Sequence, residues 1–211
     1  MFADRASAGQ TLATQLSQYA GLDDVVVLGL PRGGVVVAAE VATALGAPLD
    51  VCVVRKLGVP GREELAFGAV GDGGALVLNT EVVHAFRLTD DDIQGVVRRE
   101  TVELRRRELA YRGESAPPIS LTGSTAILVD DGLATGASMR AAVQAVQTAN
   151  PARIVVAVPV AAAATCALLK QVADEVVSVE TPTSFIAVGQ WYLDFRQTTD
   201  NEVRDLLSVR R

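Results

Sequence analysis

The run Ala126-Ile127-Leu128-Val129-Asp130-Asp131-Gly132-Leu133-Ala134-Thr135-Gly136-Ala137-Ser138 packs a strand, an acidic pair, a small-residue loop and a helix start into thirteen positions. Its four leading apolar residues predict a strand buried on both faces of a parallel sheet. Beyond the loop, Met139, Val143 and Val146 recur at helical spacing. In an open α/β sheet, ligands bind at the carboxyl ends of strands, where such a loop sits. Backbone N–H groups at a helix start attract anions, and Thr135 and Ser138 add hydroxyl donors. Two adjacent carboxylates would repel the same anion. They suit sugar hydroxyls or a hydrated Mg²⁺. One loop offering both functions implies a ligand with a phosphate and a polyol. An Asp-Asp pair also ends strands in flavodoxin-like phosphorelay receivers and in structural βα turns, so the full spacing carries the weight.

A second strand–loop–helix lies upstream. Residues 25–30 form an apolar run that enters Pro31-Arg32-Gly33-Gly34, followed by a helix through about Leu45 that ends near Gly46. Two glycines permit close approach of the backbone to a ligand, and the Arg32 guanidinium is a fork suited to phosphate. By itself this is equally a tight βα turn with a surface arginine. Taken together, the two motifs resemble type I phosphoribosyltransferases. The first is similar to their phosphoribosyl-pyrophosphate (PRPP) signature, the second to their pyrophosphate loop.

The resemblance implies an α/β fold with a mainly parallel sheet flanked by helices, a flexible hairpin loop, a helical insertion and a C-terminal hood. It implies displacement of pyrophosphate from PRPP by a small nitrogenous acceptor, with Mg²⁺ required. Asp130 and Asp131 would hold the ribose hydroxyls, and through them or water the metal. Ala134, Thr135, Gly136, Ala137 and Ser138 would bind the 5-phosphate. Arg32, Gly33 and Gly34 would hold the pyrophosphate, and Lys56 would supply a catalytic cation to it. A PRPP- or nucleotide-binding regulator without catalysis is the main alternative. A receiver phosphorylated at the acidic pair explains neither the Thr-Gly-Ala-Ser loop nor the Pro-Arg-Gly-Gly turn.

The rest of the chain fits around these motifs. Phe2, Ala6, Leu12, Leu16 and Tyr19 predict a helix over the first twenty residues, with Gly21 as its C-cap. Residues 50–54 read as a strand ending in Arg55-Lys56. Pro60-Gly61 suits a turn, and Gly71-Asp72-Gly73-Gly74 punctuates a hairpin between residues 65–70 and 75–78. This is the segment that the resemblance makes the flexible loop; Arg62 and Glu64 read as its solvated tip.

From Thr89 a long helix begins with a capping-box spacing to Asp92, and Ile93, Val96, Val97, Leu104 and Leu109 form its apolar side. Residues 89–112 carry six acids and six bases, with Glu103/Arg107 and Glu108/Arg112 at i,i+4. A balanced helix of this kind suits a solvated cover or a dimer face rather than a nucleic-acid site. His84, just before it, reads as a surface or packing residue. A loop over residues 113–122 leads to the opening motif. Residues 154–158 and 175–179 then add two strands with a helix over 161–172 between them.

The tail from Thr181 to Phe195 breaks the alanine-rich background with Phe185, Trp191, Tyr192 and Phe195. It resembles the hood of hypoxanthine-type phosphoribosyltransferases. That resemblance implies a face for a base at Phe185, Val188 and Trp191, and a metal contact at Asp194. The spacing differs by one or two residues and the hood strand has no lysine. Asp200 would cap a short helix bearing Val203, Leu206 and Leu207.

At 211 residues the chain fits one domain over 1–211, with the insertion at about 79–113 and the hood at about 181–200. Apolar residues make up 49% and aromatics 4%, a balance suited to strands covered on both faces by small-residue helices. A net charge of −6 argues against nucleic-acid or membrane partners. Cys52 and Cys166 read as buried thiols, and one histidine with two distant cysteines makes no zinc site. The expected setting is cytoplasmic, since the start lacks signal-peptide character, and the expected assembly a homodimer.

Overall fold

The computed structural model describes residues 1–113 and 117–208. From the N-terminus run α1 (Arg5–Gln15), β1 (Val25–Gly29), α2 (Gly33–Leu45), β2 (Leu49–Val51), β3 (Val54–Val59), β4 (Arg62–Gly71) and β5 (Ala75–Leu78). They are followed by α3 (Thr80–Ala85), α4 (Asp90–Arg112), β6 (Thr125–Val129), α5 (Ala137–Gln147), β7 (Arg153–Val160), α6 (Ala163–Leu169), β8 (Glu175–Glu180) and α7 (Asp200–Ser208). Five strands form a wholly parallel sheet in the order β2-β1-β6-β7-β8. The fold is the α/β, mainly parallel, helix-flanked architecture expected.

Alternation along each central strand explains the two-sided core. Val25, Val27, Ile127 and Val129 face a cluster built from α1, α2, α4 and α7. Val26, Leu28, Ala126 and Leu128 face α5 and α6 through Met139, Val143, Val146, Cys166 and Leu169. Every residue of β1 and β6 is buried, which is why both read as unbroken apolar runs. α2 ends at Gly46 in the left-handed conformation, φ 68°. No helix of the described residues is long and apolar enough to cross a membrane.

Several local expectations shift. The 50–54 strand is interrupted: β2 stops at Val51, and the chain leaves the parallel sheet through Cys52 and Val53 to form an antiparallel sheet, β3-β4-β5. Lys56 therefore sits inside β3 opposite Ala69, rather than at the end of a parallel strand. The amide of Cys52 still donates to Gly29, but the residue lies between β2 and β3 rather than within a strand, its side chain buried in the cluster under α5 and α6. α1 is capped by Asp4, whose carboxylate accepts the Ser7 amide, and ends at Gln15 with Leu16 as its C-cap. Gly21 does not cap it; its amide donates to Leu45 after an intervening 3₁₀ turn. Thr199 and Glu202 exchange capping hydrogen bonds at the start of α7, whereas Asp200 accepts from the Tyr111 hydroxyl. The helix after β7 is shorter than expected, because Ala161 stays bridged to Leu133.

The insertion contains α3, which has no counterpart in the sequence reading, and α4, which begins with the expected Thr89/Asp92 capping box. Val96 and Leu104 are buried, but Leu109 is 54% exposed and Tyr111 takes its place in the core. His84 is exposed. The expected 113–122 loop includes residues 114–116, which lie outside the described residues.

Arg112 at the end of α4 has a side chain only 4% exposed. Its Nε pairs with Asp50 of β2 at 2.8 Å and its Nη2 with Asp72 at 2.6 Å. One guanidinium thus ties the inserted helix, the edge of the parallel sheet and the end of β4 together. The anticipated local partner, Glu108, lies 4.0 Å away.

Candidate functional site

β1 and β6 run in register, with Gly29 opposite Val129, and the Leu30 amide donates to Val129 at 2.8 Å. The two turns that follow these strands are therefore neighbours. A Cβ on Gly34 would lie 2.8 Å from both the Asp130 Cα and the Val129 carbonyl oxygen, and one on Gly33 would collide with Asp131 Oδ2. The glycines of the Pro31–Gly34 turn let α2 start directly against the acidic pair. Backbone permissiveness serves loop-to-loop packing as well as any ligand. The Arg32 guanidinium rests 3.6 Å from Asp200.

Neither α2 nor α5 has a side-chain cap at its N-terminus, so both first turns present amides without intrahelical partners. Gly136, at φ 68°, turns the chain into α5 where a Cβ would strike Thr165 at 2.5 Å. The Thr165 hydroxyl donates to the Ala134 carbonyl at 2.5 Å, bracing the loop from α6. Thr135 and Ser138 are both exposed at the loop surface, on either side of half-buried Ala137.

Between these helix starts stand the carboxylates. Asp130 Oδ1 accepts the Asp131 amide at 2.8 Å, and Asp131 Oδ2 accepts Arg5 Nε at 2.8 Å. Arg5 also donates to the Arg196 carbonyl at 2.7 Å and stacks over Phe195 at 3.9 Å. The Tyr192 hydroxyl donates to the Asp131 carbonyl. Burial, with the Asp131 charge beside it, pushes the Asp130 carboxyl well above the usual carboxylate range. Burial also raises Asp131, and Arg5 pulls it back.

These shifts have a sign. The unfolded chain ionises Asp130 at about pH 4, while the folded protein holds the proton to higher pH. Stability from this group therefore falls as pH rises from there through the folded value. Asp130→Asn keeps an oxygen for the Asp131 amide and removes the charge. Its thermal midpoint should match the parent at about pH 4 and exceed it by a margin that grows as pH rises above that, levelling off once the folded Asp130 ionises. A constant or negative difference over that rise would exclude this electrostatic account.

Pro31, Arg55, Lys56, Arg107, Asp130 and Ser138 line one cavity of about 210 Å³. Single residues from the Pro31–Gly34 turn, the antiparallel hairpin, the acidic pair and the start of α5 thus converge, although Lys56 reaches the cavity from mid-strand. Val188 of the tail packs on Gly132, where a Cβ would approach it to 2.6 Å. This brings the tail to within one residue of the acidic pair. Phe185, Val188 and Trp191 pack around Phe2, Val160 and Tyr192. Trp191 Nε1 is buried with no hydrogen-bond partner among the described residues.

Asp194 does not line the cavity with Asp130. It opens into another, of about 370 Å³, with Asp4, Arg5 and Arg196, because the backbone beyond Leu193 is tied to the N-terminus through the Asp194 amide and the Ala3 carbonyl. Among the described residues no three His, Cys, Asp or Glu side chains converge as a metal cage. Asp130 and Asp131 fit the other mode, in which a hydrated Mg²⁺ takes one or two carboxylates and substrate phosphate oxygens.

Arg5, Thr165, Tyr192 and Arg107 belong to this neighbourhood, and the sequence assigns none of them to the site: Arg107 reads as a helix-surface partner of Glu103 and Tyr192 as one aromatic of the tail. Thr165 leaves a trace, as a hydroxyl inside an apolar run. Arg5 leaves none, since its partner is 126 positions away.

Comparison with known proteins agrees with this geometry. Residues 3–196 match the family model described as the phosphoribosyl transferase domain. Relatives from two Mycobacterium tuberculosis strains, provisionally named as phosphoribosyl transferases, are 50% identical over 203 residues, covering 96% of this chain. The chain spans 45% of those relatives' length. The crystal structure of TT1426 from Thermus thermophilus superposes with a TM-score of 0.88 at 48% identity, covering 98% of this chain and 97% of that one. The AQ2163 protein from Aquifex aeolicus shares the fold at 11% identity, with a TM-score of 0.53 and coverage of 96% and 84%.

Proposed function

We propose that this chain, which belongs to the phosphoribosyl transferase domain family, transfers the 5-phosphoribosyl group of PRPP to a nitrogenous, nucleobase-like acceptor and releases pyrophosphate. The observation that carries this reading is the single cavity shared by Pro31, Lys56, Asp130 and Ser138. It offers the Lys56 cation beside the start of the Pro31 turn for a diphosphate, the Asp130 carboxyl for a diol, and the Ser138 hydroxyl at the start of α5 for a terminal phosphate.

In this reading, the first turn of α5 and the hydroxyls of Thr135 and Ser138 hold the 5-phosphate. Asp130 and Asp131 accept hydrogen bonds from the ribose hydroxyls. As the bond to pyrophosphate lengthens, positive charge develops on the ring, and the Asp131 carboxylate, paired with Arg5, stabilises it. Gly33 and Gly34 present amides to the leaving group, and Lys56 neutralises it from the hairpin. Such a site works by positioning and preorganised electrostatics. Mg²⁺ bound with the substrate, near Asp130 and Asp131, would supply further charge neutralisation to the pyrophosphate. Arg5 fixes Asp131 while the Tyr192 hydroxyl fixes its backbone. The acceptor would enter beside Val188, on the tail side of Gly132, with Phe185 and Trp191 as candidate walls.

A nucleobase panel with PRPP and Mg²⁺, followed by pyrophosphate release, tests the reading. Release dependent on at least one base is expected. Saturable PRPP binding with no release for any base would make the chain a PRPP-binding protein instead.

A further inference from the structure

The sequence of α4 indicates no task for its charges, yet the helix reaches the proposed site. Arg107 lines the 210 Å³ cavity together with Pro31, Lys56, Asp130 and Ser138. We propose that Arg107, delivered by the inserted helix, is a pyrophosphate-binding residue of the transfer reaction. This inference rests on the PRPP reading given above.

Arg55 and Arg107 both border the cavity, and their partners distinguish them. Arg55 is locked: its Nε and Nη2 both bind Glu100 Oε2, at 2.9 and 2.6 Å, and Glu100 is itself buried. Arg107 is releasable. Its Nε meets Glu103 Oε1 at 2.8 Å, and its side chain is 35% exposed. Glu103 is independently held by Arg106, through both carboxylate oxygens at 2.7 and 2.9 Å. When Arg107 leaves, the carboxylate remains paired. An exposed ion pair of this kind holds its members weakly, whereas a guanidinium on a diphosphate makes charge-assisted, forked hydrogen bonds. A polyanion in the cavity therefore outcompetes Glu103 for Arg107.

The placement also indicates which end of the substrate is served. Arg107 meets the cavity alongside Pro31 of the turn that receives pyrophosphate and Lys56 of the hairpin. Arg32, the cation belonging to that turn, is engaged with Asp200 at 3.6 Å. The inserted helix thus adds a cation to the leaving-group side.

The test is calorimetric titration of the intact chain with inorganic pyrophosphate and Mg²⁺, and separately with ribose 5-phosphate. Arg107→Ala should weaken pyrophosphate binding roughly ten- to hundredfold, with ribose 5-phosphate affinity and the thermal midpoint unchanged. Arg107→Lys, which keeps the charge and loses the fork, should fall between. Arg98→Ala removes the same charge from an exposed position on α4 and should leave both titrations alone. Unchanged pyrophosphate affinity in Arg107→Ala overturns the proposal. So does an equal loss in Arg98→Ala, or a loss shared with ribose 5-phosphate. A parent protein that binds neither probe overturns the PRPP reading as well, whereas normal parent binding with an indifferent Arg107→Ala overturns this inference alone.

Discussion

Asparagine at position 131 is expected to lower turnover roughly a hundred- to thousandfold, the equivalent of about 3–4 kcal/mol of barrier, in a protein that still folds. The substitution is close to isosteric. Its amide oxygen can still accept Arg5 Nε, now 2.8 Å from Asp131 Oδ2, and the Tyr192 hydroxyl binds the backbone carbonyl, which does not change. In the proposed reaction, what disappears is the negative charge that faces the ring on which positive charge develops. The loss should therefore fall on kcat rather than on KM for PRPP, since charge on the ring is greatest in the transition state. Initial rates of pyrophosphate release at saturating PRPP measure it, with circular dichroism checking the fold. A variant within about threefold of the parent, far short of the loss expected from removing such a group, would remove Asp131 from the proposed role.

The largest effect on stability is expected at Arg112, which does not itself line the cavity of the proposed site. Arg112→Ala removes the guanidinium from between Asp50, 1% exposed, and Asp72. It also removes a donor to the Val51 carbonyl. Breaking a buried ion pair by deleting one partner typically costs about 3–5 kcal/mol, because charge is left behind in a poorly solvated place. Urea titration should show the midpoint falling with the slope unchanged. A loss under about 1 kcal/mol would mean that these acids are better solvated than the geometry implies. The same change should loosen the hairpin relative to the parallel sheet, since Asp72 follows β4 and Asp50 lies in β2.

The candidate site is legible in sequence to the extent that its chemistry is local in the chain. The 126–138 run yields a buried strand, an acidic pair and an uncapped helix start because a strand, its loop and the next helix are consecutive. Pro31-Arg32-Gly33-Gly34 is readable for the same reason. Its glycines read as room for a ligand, and the structure adds their second cause, the packing of α2 on Asp130 and Asp131. Lys56 is recognisable as a cation, but its strand is not. The apolar run shows that residues 50–54 are extended, and cannot show that the chain changes sheets at Cys52. Arg112 reads as a surface partner of Glu108 because i,i+4 spacing is visible in sequence, whereas its pairs with Asp50 and Asp72 span 62 and 40 positions.

By itself the sequence determined the α/β class, the parallel strands and the residue types offered at the ends of β1 and β6. Burial on two faces and ligand-facing loops leave short-range patterns of hydrophobicity and small residues. Only the tertiary structure decided which side chains support those loops. Arg5 on Asp131, Thr165 under Ala134, Val188 on Gly132 and Arg107 at the cavity all come from elements distant in the chain. Their contacts depend on strand order and helix packing, which are set by the summed burial of the whole core. A side chain that acts across such a distance has no neighbour in sequence to announce it.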